Sequence, residues 1–174
     1  MGQLPPLLAI QRATVAETTV NTLIEQGINT PVSAQSRMIM RIWRIIMTIQ
    51  PGALPVFPVA DTLVNVAVTA VLSTRGGEAT IPDLGRGGTI ATTQFLFLIG
   101  SAPADAGVVA NQQFNYPMWD FPGGLGIADS VLSLYLLGAN MVGVSAVFIA
   151  IYYTMEVVST DEFLAIASVL SDIR

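Results

Sequence analysis

Histidine, cysteine and lysine are all missing from the chain. Without cysteine there is no disulfide and no thiolate metal site. Without histidine the commonest acid–base and metal-binding side chain is gone. Without lysine no Schiff base can form. Charge is scarce as well. Only 11% of the residues are Asp, Glu, Lys or Arg, where a soluble domain usually carries about a quarter. The seven cations are all arginines, the net charge is −5, and no basic arm stands at either end. Neutralising phosphates takes clustered Lys and Arg, so direct nucleic-acid binding is not expected.

What the chain has instead is apolar surface. Hydrophobic residues make up 52% and the mean hydropathy is +0.64. Either lipid or other copies of the protein must cover much of it. The 174 residues amount to one domain that can bury a core without staples. The first thirteen residues, MGQLPPLLAIQRA, lack a positive leader region, and Pro5-Pro6 interrupts their apolar run. They read as an extended arm and not as a signal peptide. Pro6 stands where a myristoylation signal wants Ser or Thr.

The stretch 131–158, VLSLYLLGANMVGVSAVFIAIYYTMEVV, carries no charge before Glu156. It is long enough for a membrane helix, which needs about twenty apolar residues. Gly138, Asn140 and Gly143 punctuate its middle as a turn, and the charges that flank it are all acidic, so no Lys/Arg bias orients a span. Its second half alternates. Val147, Ile149, Ile151, Tyr153, Met155 and Val157 share one face; Ala146, Phe148, Ala150, Tyr152, Thr154 and Glu156 share the other. β-branched and aromatic residues in that rhythm suit a buried strand. The expectation is a β-hairpin at the centre of a sandwich.

Other segments follow the same rhythm. Residues 14–24 read as a Thr/Val-rich first strand. Residues 37–49, RMIMRIWRIIMTI, fit a strand better than a basic helix, with Arg41, Trp43 and Arg44 marking an edge, a rim or a subunit contact, or else the arginines simply being solvated. Residues 62–73 alternate most cleanly: Val64, Val66, Val68, Ala70 and Leu72 inward, Asn65, Thr69 and Ser73 outward. Residues 90–99 form another strand. The segment 100–128 reads as a long loop excursion whose Phe114, Tyr116, Trp119 and Phe121 stand among amides. Such aromatics either recognise a sugar or a protein or fold back to cap the sandwich. Ser159 with Glu162 three residues on is a capping box. It opens a terminal helix over 160–173 with Phe163, Ile166, Ala167, Leu170 and Ile173 as its apolar stripe.

Chemistry-bearing patterns are absent. The Gly85-Arg86-Gly87-Gly88 run has no GK[ST] after it and so is no phosphate loop. Asp105 lacks the repeated oxygen ligands of a calcium loop. Glu78 with Asp83, or Asp120 with Asp129, could supply a carboxylate pair, but no spacing singles one out. No enzyme activity, metal or cofactor is expected.

The fold this predicts is all-β: a single eight-stranded jelly-roll sandwich spanning 1–174 with a short C-terminal helix. In layout the sequence resembles the small major capsid proteins of the vertical single-jelly-roll type. The resemblance lies in a Thr/Val-rich first strand, the RIWRIIMTI strand, a loop opening with STRGG, and the closing FIAIYYTMEVVSTDEFLAIAS. Such proteins build tailless icosahedral viruses with an internal membrane, among them certain Thermus phages and haloarchaeal viruses. The resemblance implies a homo-oligomeric capsomer subunit of a virion shell, a second and larger capsid protein as partner, and a lipid layer nearby. It also implies synthesis in the host cytoplasm. Two other readings compete: a small integral membrane protein, and a carbohydrate-binding sandwich using Asn111, Tyr116 and Trp119.

Overall fold

Alternation of apolar and polar residues fixes which way each strand faces, and here it builds two layers. The computed structural model describes residues 8–55, 63–83, 87–100, 109–114 and 118–171. Nine strands and one helix follow in order: β1 (Ala9–Ala16), β2 (Ile24–Asn29), β3 (Met38–Gln50), β4 (Leu63–Ser73), β5 (Thr89–Gly100), β6 (Val109–Phe114), β7 (Met118–Ile127), β8 (Val131–Ala139), β9 (Ala146–Val157) and α1 (Thr160–Ser171). They form an all-β sandwich of two antiparallel sheets. One runs β1-β9-β3-β7, the other β2-β8-β4-β5-β6.

The pairings nest. β1 pairs with β9, β2 with β8, β3 with β7 and β4 with β5. Two further ladders, β3 with β9 and β4 with β8, close the sheets. Between them lies a core that includes Ile42, Ile45, Met47, Val66, Val68, Leu72, Leu134, Leu136, Ile149 and Ile151. Each such side chain contributes about 1.5–3 kcal/mol by leaving water.

The stretch 131–158 is extended, but it is not a hairpin. β8 and β9 lie in different sheets. The link 140–145 crosses between them because Met141 drops into the core, 4% exposed. β8 is buried on both faces. Leu132, Leu134 and Leu136 face the core, while Ser133 and Tyr135 are covered from outside. Among the described residues, no helix is long and apolar enough to cross a membrane.

Two more expectations need correcting. The first strand starts earlier, at Ala9, inside the expected arm, and ends at Ala16. Residues 17–23 leave the sheet because Glu17 and Asn21 turn their side chains to the 138–145 backbone. The excursion at 100–128 contains β6 and β7, which bring the strand count among the described residues to nine. Pro122-Gly123-Gly124 punctuates like a turn, yet it sits within β7. The register between β3 and β7 jumps there, from Ile42↔Leu125 to Arg44↔Asp120.

The helix begins as expected. Ser159 Oγ accepts from the Glu162 N–H at 3.2 Å, and the Ser159 carbonyl accepts from Phe163 N–H at 2.9 Å. The helix lies on the outer face of β7. A side chain at Gly126 would come within 3.1 Å of Ile166 Cδ1, so glycine there permits the close approach.

Candidate functional site

The strand β3 carries one residue too many for simple alternation. Met40 and Ile42 face the core, and so do Ile45 and Met47. An unbroken period of two cannot place all four on one face. The β-bulge at Trp43 resolves the conflict. Ile42 pairs with Tyr153 and Arg44 with Tyr152, which leaves Trp43 without an opposite number. An extra residue of this kind re-aims the side chains around it. Arg41, Trp43 and Arg44 therefore all emerge on the outer face of β1-β9-β3-β7.

There they form a belt. Arg41 pairs with Glu156 and stands 3.9 Å from Glu162 on the helix. Trp43 Nε1 donates to Thr154 Oγ1 at 3.0 Å. Arg44 holds Asp120 through two parallel bonds, Nε to Oδ1 at 2.6 Å and Nη2 to Oδ2 at 3.1 Å. That fork holds the Asp120 carboxyl below its ordinary value and the Arg44 guanidinium above its own. Gly124, at a positive φ of 71° that only glycine adopts freely, lies against the stem of Arg41. The belt's arginines are thus engaged by acids of the same chain.

The expected aromatic cluster divides. Trp119 and Phe121 turn inward and pack against the core. Trp119 Nε1 donates to the Thr92 carbonyl on β5 at 2.8 Å, tying one sheet to the other. The side chain of Phe114 and the whole of Tyr116 lie outside the described residues. Of the seven singled-out residues, the fold brings together Arg41, Trp43 and Arg44 at the belt, with Asp120 as the partner that sequence reasoning did not pair with them.

No model of a known protein family matches the chain, and no curated protein is similar to it.

Two further polar clusters were not anticipated. Glu17, 4% exposed, accepts from the backbone N–H of Gly138 and of Ser145, both at 2.8 Å. Asn21 Oδ1 accepts from Met141 N–H at 2.9 Å. Together they clasp the β8–β9 crossing. The available signal was Glu17 itself, the one charge between Arg12 and Glu25 in an uncharged stretch. The second cluster pins the strap 74–83 over the outer face of the other sheet. Tyr135, fully buried, donates to the Arg75 carbonyl at 2.9 Å and accepts from Glu78 N–H at 3.3 Å. Glu25 accepts from Gly77 N–H and from Ser133 Oγ, both at 2.8 Å. Burial pushes the Tyr135 phenol above its ordinary value.

The three clusters share one chemical character. Their polar groups are spent on holding segments of the chain together. Among the described residues, no three of His, Cys, Asp or Glu converge.

Proposed function

We propose that this chain is a structural shell protein: a small capsid subunit of the vertical single-jelly-roll type that assembles with copies of itself. The observation that carries the reading is the nested strand pairing, 1 with 9, 2 with 8, 3 with 7 and 4 with 5. A long antiparallel hairpin rolled so that its strands alternate between two sheets is the jelly-roll path. β6 is then an addition at one edge. The composition supports the same reading. A protein that is 52% hydrophobic and 11% charged gains by hiding surface against sister molecules.

On this reading the chain belongs in a virion shell, beside a second, larger capsid protein and above a lipid layer. The belt and clasps fit a brick that must keep its shape under contact. The test is direct. Purified protein at rising concentration is followed by light scattering and negative-stain microscopy, alone and with the co-expressed larger partner. Capsomers, rings or shells are expected. A species that stays monomeric at high concentration in both settings overturns the proposal.

A further inference from the structure

The helix and the arginine belt cover only one end of the outer face of β1-β9-β3-β7. The rest of that face is bare among the described residues. The registers give its rows. Ile10, Tyr152, Arg44 and Asp120 form one row, and Arg12, Ala150, Ile46 and Met118 the next. Thr14, Phe148 and Thr48 follow, and then Ala16, Ala146 and Gln50. Ile10 and Phe148 are each 44% exposed and Met118 is 37% exposed.

Down the middle of the face, β9 reads Ala146, Phe148, Ala150, Tyr152: small, large, small, large. That order is complementary to itself when reversed. We propose that this face pairs with the same face of a second copy, about a two-fold axis perpendicular to β9 that passes between the Phe148 and Ala150 rows. Each Phe148 ring then meets the second copy's Ala150, and each Tyr152 meets the second copy's Ala146. A two-fold contact of this kind is isologous, so one patch serves both sides.

Charge does not stand against the same occupant. Asp120 is already neutralised by Arg44, which leaves Arg12 as the unpaired charge of the face among the described residues. The axis sets Arg12 against the second copy's Thr14 and Arg44 against its Gln50; the two Arg12 residues fall on neighbouring rows of the edge strand β1, from which their long side chains can reach water. The alternative axis, parallel to the strands, drives the two helices into the same gap and is excluded by their bulk. The perpendicular axis sends them to opposite ends.

The area fixes the strength. Seven residues of β9 at about 3.3 Å each, across four strands about 4.8 Å apart, give roughly 400 Å² per copy. A stable standard interface buries about 800 Å² per partner. The contact is therefore weak for an isolated pair and effective where many copies are held together. It rests on the shell reading only in supposing that copies of the chain meet.

The native absence of cysteine makes the test clean. Phe148→Cys and Ala150→Cys proteins are prepared separately, mixed at high concentration and joined with a short thiol–thiol cross-linker. The mixed dimer is expected to exceed the half share that random pairing gives. A mixed dimer at or below that share overturns the contact. In parallel, Phe148→Glu is compared with the wild type by microscopy, with its melting curve confirming that it folds. Lost or weakened assembly supports the contact; unaltered assembly overturns it and leaves the shell reading standing. If the wild type itself never assembles, the shell reading fails, and the cross-linking ratio still decides the face.

Discussion

At the scale of single residues, the informative groups are the few polar ones the chain has buried. Glu17 gives both carboxylate oxygens to backbone N–H groups. Removing it strands two buried donors, at about 1–3 kcal/mol each. Glu17→Ala is therefore expected to lower the urea midpoint clearly, while Thr18→Ala, exposed beside it, leaves the midpoint near that of the wild type. Tyr135 acts through its proton. Its phenol is held above the ordinary 10.0, chiefly by burial, so the folded state favours the neutral form. The stability this gives is whole below pH 10 and drains as pH rises through the folded value. Tyr135→Phe should be less stable at neutral pH, since the phenol's bonds to the Arg75 carbonyl and the Glu78 N–H are lost. It should also show a shallower alkaline loss in pH-dependent melting. Asp120 behaves oppositely. Its lowered value gives stability that is present above the ordinary carboxylate range and fades as pH falls through the folded value. That pair is exposed, so it contributes only about 0–1 kcal/mol.

At the scale of elements, β3 shows how one inserted residue changes a face. Without Trp43 the order Met40, Arg41, Ile42, Arg44, Ile45, Ile46, Met47 reads in, out, in, out, in, out, in, with the alternation restored. Deleting Trp43 should therefore yield a protein that still melts cooperatively with a β-type circular dichroism spectrum, though destabilised by the lost contact to Thr154. Deleting Thr69 from β4, where the register with β8 is unbroken, turns part of the strand inside out. That variant should fail to fold. The inward residues of β4 and β9 could be read from sequence because their period of two is uninterrupted. β3 could be read as a strand but not in its second half, since Arg44 faced inward on a strict count. β7 was hidden altogether. Trp119, Asp120 and Phe121 alternate correctly, but Pro122-Gly123-Gly124 carries the local signature of a loop. Only the ladder to β3 makes the segment extended.

At the scale of the whole molecule, the excess of apolar residues has two fates. Much of it fills the core, and part remains outside, on Ile10, Met118, Phe148, Val142 and Val144. Association driven by such surface responds to salting-out more than to screening. Ammonium sulfate should therefore promote oligomers in light scattering, while moderate sodium chloride should change them little. Dissociation by sodium chloride alone would point instead to contacts between charges.

The order of residues by itself determined that this chain is built of strands, which faces of β4 and β9 are buried, and where the last helix starts. Each of those depends on neighbours two to four positions apart. Tertiary structure alone decided that β8 and β9 part company into different sheets, that Arg44 meets Asp120, and that Glu17 bridges the crossing. Those contacts join positions far apart in the chain, and local periodicity carries no information about which distant backbone a strand edge or a buried carboxylate will find.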